Sequence, residues 1–144
     1  MDTVARQHQA FVFLAVLATV GTAIELATER HWGQGVQLIP WGSVALLVLG
    51  LVALWRGRSV RLVRGTAVAV ALSGVGGVYE HVLENFHAGP LDYRYTDRWA
   101  TMTTLSKWWT AISKTAGPAP TLAPAVLVLA ALCLAFATIG RSPD

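Results

Sequence analysis

The stretch LIPWGSVALLVLGLVALW, residues 38 to 55, contains no charged side chain from one end to the other. A helix of about 20 residues, rising about 1.5 Å per residue, crosses the roughly 30 Å hydrocarbon core of a bilayer. In the whole chain, 54% of the 144 residues are hydrophobic and 13% are charged, whereas soluble domains carry about 25% charged residues. The sequence therefore predicts an integral membrane protein, because a soluble helical bundle would need polar faces that these segments lack.

Three further apolar segments lie on either side of this one. Together they give four predicted membrane spans, at residues about 10–28, 38–55, 64–87 and 119–140. The first segment runs on into Glu25 and Glu29 without a signal-peptide cleavage site, so it is predicted to remain as a span. The predicted fold class is all-α, a bundle of four transmembrane helices that forms a single domain over residues 1–144.

The basic residues predict the orientation of the chain. The link between the second and third spans, WRGRSVRLVR, carries Arg56, Arg58, Arg61 and Arg64, and cytoplasmic loops of membrane proteins are enriched in such residues. This link and both chain termini are therefore predicted to be cytoplasmic, and the long link between the third and fourth spans is predicted to lie outside. Topology accounts for the net charge of +3, so no nucleic-acid partner is predicted.

Two stretches of the chain match each other. VGTAIELATERH in the first span aligns with VGGVYEHVLENFH in the third at a constant offset of 55, which places Glu25 over Glu80 and Glu29 over Glu84. The second and fourth spans each open near a proline. This internal repeat predicts two tandem helical hairpins related by an axis along the membrane normal, with chance similarity between helices rich in small residues as the alternative.

Small residues and glutamates share one face of each matching helix. At about 100° per residue, the positions on this face lie within about 100° of one another. They are Ala18, Gly21, Thr22, Glu25 and Glu29 in the first span, and Ser73, Gly76, Gly77, Glu80, Glu84 and His87 in the third. Because small residues mark close approach between membrane helices, this face is predicted to point toward another helix and to carry the glutamates inward.

The resulting cluster of Glu and His on the outer side has three interpretations. In the first, the carboxylates are neutral or paired at a membrane edge that water reaches. The second is a metal site, since Glu84 and His87 have the Glu-x-x-His spacing of di-iron carboxylate bundles, and the third is a proton or substrate relay. Iron, zinc or manganese suits such ligands, haem is disfavoured, and the lone Cys133 offers no thiolate site. The candidate metal ligands are Glu25, His31, Glu80, His81, Glu84 and His87.

The outer link contains a second amphipathic pattern. In DRWATMTTLSKWWTAISKTAG, apolar residues recur at helical spacing at Trp99, Met102, Leu105, Trp109 and Ile112. Tryptophan favours the membrane interface, so the pattern predicts an interfacial helix over residues about 97–115 that lies on the outer membrane surface. Its role is open between a roof over the glutamate cluster, a simple anchor and a docking face for a partner.

Five short motifs are spread over most of the chain. They are E-L at Glu25 and Leu26, H-W at His31 and Trp32, Q-L-I-P from Gln37 to Pro40, G-V-Y-x-H-x-x-x-N from Gly77 to Asn85, and L-A-P from Leu122 to Pro124. These motifs resemble a family of small, uncharacterised four-span integral membrane proteins of bacteria. The resemblance implies a multi-pass protein of the bacterial cytoplasmic membrane. It implies no activity, and it singles out a shared polar set of Glu25, His31, His81 and Asn85.

Two functional classes follow from these patterns. The first is a non-catalytic accessory or assembly subunit of a larger membrane complex, partnered by the lipid bilayer and by other subunits or copies of itself. The chain has no nucleotide-binding motif and no assembled Ser/His/Asp or Cys/His set, which favours a protein that is not an enzyme. The alternative is a small membrane metalloprotein that binds iron, zinc or manganese through the Glu and His residues of the outer cluster.

Overall fold

A computed structural model of the protein describes residues 3–113 and 115–141, and within these ranges it contains helices and no strand. The all-α prediction is therefore confirmed. Five α-helices follow one another along the chain: α1 Thr3–Thr28, α2 Ile39–Trp55, α3 Val60–Ala88, α4 Thr104–Ile112 and α5 Ala125–Phe136. Both termini, for which a cytoplasmic location is predicted, and residue 114 of the predicted interfacial helix lie outside the described residues.

Among the described residues, three helices are long and apolar enough to cross a membrane: Thr3–Thr28, Gly35–Trp55 and Val60–Leu91. They cover the predicted spans at 10–28, 38–55 and 64–87. The second of them combines α2 with a short 3₁₀ turn, Gly35–Leu38, and Pro40 falls in the first turn of α2. Proline is well tolerated there, because the first backbone N–H groups of a helix have no partner within it.

The fourth predicted span, 119–140, is not confirmed at its full length. α5 has 12 residues, which gives about 18 Å at 1.5 Å per residue. The chain before it forms turns in which Ala123 N donates to Pro120 O and Ala125 N donates to Leu122 O. Prolines lack the N–H group that a helix interior needs, so Pro120 and Pro124 delay the start of α5.

The contacts divide the chain into two compact units, Met1–Val75 with Val126–Asp144, and Gly76–Ala125. This grouping leaves the single-domain prediction open. The first unit has an apolar core made of small and branched side chains from α1, α2, the first part of α3 and α5. The core includes Ala15, Leu47, Val63, Ala67, Val70, Ala130, Ala131 and Leu134.

Two hydrogen bonds between side chains join α3 to other described parts of the first unit. Ser43 Oγ donates to Ser73 Oγ at 2.8 Å, and Arg64 Nε donates to Thr138 Oγ1 at 2.9 Å. The helices satisfy most of their backbone groups internally. Packing of apolar side chains is therefore the main contact between them.

The second unit corrects the predicted interfacial helix. The helix does not run from residue 97: a 3₁₀ turn, Trp99–Thr101, comes first, and α4 begins only at Thr104. The cause is Thr103, whose extended backbone and side-chain oxygen, accepting from Ser106 N, cap the helix. Trp99, predicted on the apolar outer face, is buried instead.

Candidate functional site

The glutamates of the predicted outer cluster are exposed. Exposure holds for Glu25, Glu29, Glu80 and Glu84 alike. A Cβ atom added at Gly21 or Gly76, on the same faces, would meet nothing within 4 Å. Thr22 on the first face is buried, and Gly77 on the second lies against Pro124. One edge of each face therefore points inward, but the prediction that the faces carry the glutamates inward is wrong for the described chain, because periodicity identifies a face without showing how far it is turned.

The candidate metal ligands are not assembled into a site. Over residues 3–113 and 115–141, no group of three or more His, Cys, Asp or Glu side chains lies close enough to hold a metal ion. Two of the predicted ligands, Glu25 and His31, belong to the first unit and the others to the second. The ligand set Glu25, His31, Glu80, His81, Glu84 and His87, and a divalent metal bound to it, stay predictions.

A stripe along the end of α3 is the most connected polar feature of the second unit. It consists of residues spaced four apart, Gly77, His81, Asn85 and Gly89, which we call the α3 stripe. Such spacing places side chains one above another on a single helix face. The residues that follow α3, 89–120, fold against this stripe and are called the cap.

Gly77 and His81, the first two residues of the α3 stripe, contact the chain between α4 and α5. A Cβ atom at Gly77 would lie 2.8 Å from Pro124 Cβ, so glycine permits close approach there. His81 Nδ1 lies 3.0 Å from Pro120 O. Since a carbonyl only accepts, Nδ1 is the donor in this hydrogen bond.

Asn85 is the centre of the α3 stripe and is completely buried. Its Nδ2 donates to Ala119 O at 2.9 Å and to Ala111 O at 3.3 Å, and its Oδ1 accepts from Ala119 N at 2.8 Å. Gly117 lies against Asn85 with a φ of 79°, a conformation that favours glycine. One amide side chain thus satisfies the C=O group of Ala111 at the end of α4 and both backbone groups of Ala119, which would be costly to bury without partners.

Aromatic rings fill the interior of the cap. The Trp99 ring covers Gly89, where any Cβ atom would overlap the indole. Phe86 stacks on Trp108 with ring centroids 4.5 Å apart and meets the edge of Trp99 at 5.7 Å. The cap therefore has a small core of its own, seated on the last turns of α3.

Asp92 fixes the first loop of the cap. Its carboxylate accepts from Arg94 Nη2 at 2.6 Å, from Arg94 Nε at 2.9 Å, from Arg94 N at 3.0 Å and from Gly117 N at 3.2 Å. The Arg94 guanidinium bonded to it holds the pKa of this carboxyl well below its ordinary value. Sequence reasoning missed Asp92, although an Asp two residues before an Arg in a turn-rich link was the available signal.

The residues on either side of Asp92 project outward. Leu91 and Tyr93 are 87% and 89% exposed. An open cleft of about 410 Å³ lies beside them and is bordered by Ala88, Arg94, Gly117 and Pro118. The cleft is bordered by the Asp92–Arg94 ion pair and by backbone and apolar atoms of the neighbouring residues.

Neither a protein-family model, nor a curated protein, nor a solved structure matches this chain.

Proposed function

We propose that the protein is a non-catalytic accessory or assembly subunit of a larger membrane complex. The observation that carries this proposal is the loop of the cap in which two large apolar side chains, Leu91 and Tyr93, project from a firmly bonded turn. Protein interfaces concentrate their binding energy in a few such side chains. A loop that is already ordered loses less conformational entropy when it binds than a flexible one.

The position of this loop favours a protein partner over lipid. Leu91 follows residue 87, the predicted outer end of the third span, and lies in the link predicted to face outward. Exposed apolar side chains in a link beyond the span are suited to contact another subunit.

The membrane architecture that accompanies this function has four spans in two tandem hairpins. Three apolar helices support it, and α5 with its flanking turns would supply the fourth crossing. The arginines before α3 favour cytoplasmic termini in a bacterial cytoplasmic membrane, with the cap on the outer side.

Co-purification from native membranes tests the proposal. Tagged protein should bring down larger subunits in a fixed ratio. A double change of Leu91→Ser and Tyr93→Ser should reduce their recovery severalfold. The matched control is Trp55→Ser, which removes an equally exposed aromatic ring, 84% exposed, at the end of α2 and should keep the partners. Wild-type protein that purifies alone, or only as copies of itself, would contradict the proposal.

The metalloprotein alternative makes a separate prediction. If iron, zinc or manganese is bound by the outer Glu and His residues, the purified protein should contain near-stoichiometric metal, and Glu25→Gln and Glu80→Gln should each lower it. Elemental analysis of the intact preparation measures this directly, with Asp97→Asn as a control for loss of an exposed carboxylate. Metal below a few per cent of the protein in all samples would remove the alternative.

A further inference from the structure

α4 exposes an apolar stripe that nothing in the described chain covers. Leu105, Trp109 and Ile112 are 80%, 69% and 50% exposed and lie at positions i, i+4 and i+7, on one face of the helix. The other side of α4 is occupied: Ala111 is fully buried, and the Trp108 ring stacks on Phe86. The exposed stripe is therefore separate from the contacts that hold α4 in the cap.

The contacts on the inner side fix the level of α4 along α3. Asn85 Nδ2 donates to Ala111 O at 3.3 Å, and Phe86 and Trp108 have ring centroids 4.5 Å apart. Asn85 lies two residues before residue 87, the predicted outer end of the third span. If the span ends there, this part of α4 lies at the outer edge of the hydrocarbon.

The helix is also held firmly in place. It has 9 residues, too few to span a bilayer or to be stable alone in water. Thr103 caps its start, and Thr121 Oγ1 donates to Ile112 O at 3.0 Å at its end. The chain connects α4 to α3 on one side and to α5 on the other. Both connections keep α4 near the proposed membrane spans.

We infer that the stripe of Leu105, Trp109 and Ile112 binds the outer leaflet of the bilayer, at the boundary between acyl chains and headgroups. Tryptophan is enriched at this boundary, and short amphipathic helices lie there with their apolar face inserted. Ser106 and Ser113, which flank the stripe and are exposed, face the headgroups and water. The inference rests on the proposed membrane spans, and it gives the cap two surfaces: the α4 stripe for lipid, and Leu91 with Tyr93 for protein.

Spin-label accessibility in phosphatidylcholine vesicles tests this inference with the full-length protein. In a Cys133→Ala background, nitroxide labels are placed singly at Leu105→Cys and Ile112→Cys, with Ser106→Cys as the matched control on the adjacent face of α4. Oxygen concentrates in acyl chains and a charged nickel chelate concentrates in water. The ratio of oxygen to nickel accessibility should therefore be severalfold higher at 105 and 112 than at 106.

Two results would overturn the inference. Nickel-favoured accessibility at 105 and 112, equal to that at 106, would place the stripe in water. Low accessibility to both reagents would place it against protein, a second copy included. Helix content by circular dichroism checks that each variant is folded, and two label positions prevent one disturbed side chain from deciding the result. Because no partner protein is present, failure here is distinct from failure of the co-purification experiment.

Discussion

Different kinds of contact stabilise the first unit and the cap, each considered by itself. In the first unit, Ala, Val and Leu side chains such as Ala67 and Leu134 form the buried core. In the cap, single polar side chains bind the backbone: Asn85 of α3 bonds both backbone groups of Ala119, and Asp92 accepts from Arg94 N and Gly117 N. The difference follows from the backbone: long helices satisfy their own N–H and C=O groups, whereas irregular chain near a membrane must find partners for them elsewhere.

The largest effect is expected from replacing Asn85 with leucine. The change keeps the volume similar but leaves Ala111 O, Ala119 O and Ala119 N without their partner. Each unsatisfied buried group costs about 1–3 kcal/mol, so the free energy of unfolding of the cap should fall by roughly 3 kcal/mol or more. Amide hydrogen exchange should become faster throughout residues 89–120 and stay unchanged in α2. Equal protection in both proteins would show that polar bonds do not hold the cap.

The next largest effect is expected from Leu134→Ala, which creates a cavity in the first unit. Hydrogen exchange should then change in the first unit and not in the cap. Leu134 is fully buried in the apolar core, and Leu→Ala changes at such sites cost about 2–5 kcal/mol. Leu134→Ala should lower the thermal unfolding temperature in detergent. Hydrogen exchange should accelerate around α2 and α5, with the amides of the α4 capping turn keeping their protection. Loss of protection in the cap to the same degree would mean that the two regions unfold as one.

Asp92→Asn should loosen only the first loop of the cap. An amide cannot accept all the donors that now converge on the carboxylate from Arg94 and Gly117. Trypsin should cut faster after Arg94 in this variant, while Asp97→Asn, a change at an exposed aspartate of the same cap, should leave the rate unaltered. An unchanged rate after Asp92→Asn would show that the carboxylate does not order the loop.

The same ion pair gives a pH prediction. Arg94 lowers the pKa of the Asp92 carboxyl from the ordinary value of 3.8, so the bonds to Arg94 contribute to stability above that value. They should be lost only when the pH falls through the lowered pKa. Carbon NMR of the Asp92 carboxyl should therefore show it still ionised where a free aspartate is half protonated. Half-protonation near pH 3.8 would contradict this.

The smallest effect is expected from Ser43→Ala, which removes a hydrogen bond between α2 and α3 in the first unit. Ser43 Oγ donates to Ser73 Oγ at 2.8 Å, and hydrogen bonds between membrane helices contribute about 0.6 kcal/mol on average. Ser43→Ala and the double change with Ser73→Ala should therefore lower the unfolding free energy by nearly the same small amount. A loss comparable to that of Leu134→Ala would make hydroxyl pairing a main support of this unit.

The sequence predicted the helices better than it predicted the cap. Hydropathy and length locate α1, α2 and α3 because a bilayer demands both of any spanning helix. The prediction of the interfacial helix was wrong at two points. Thr103 caps α4, so the amphipathic pattern does not form one continuous helix, and Trp99 is buried inside the cap. Neither outcome follows from periodicity, which counts apolar residues without showing what they pack against.

The contacts of the candidate site were not predicted from the sequence. His81 was named as a metal ligand and Asn85 as a residue shared with a family, and the structure bonds both to the cap backbone. The glutamate faces were assigned inward because of Gly21 and Gly76, yet small residues permit close approach without requiring it. Asp92 could be recognised only when its loop was seen closed on Gly117, a contact between residues distant in sequence.

In the proposed topology, the cap lies outside the membrane and the arginine-rich link between α2 and α3 lies on the cytoplasmic side. In the Cys133→Ala background, Ser106→Cys in α4 and Ser59→Cys beside α3 can each be treated in intact cells with a thiol reagent that does not cross membranes. The account predicts that Ser106→Cys is labelled at once and that Ser59→Cys is labelled only after the membrane is permeabilised. Labelling of Ser59→Cys in intact cells, with Ser106→Cys protected, would contradict it.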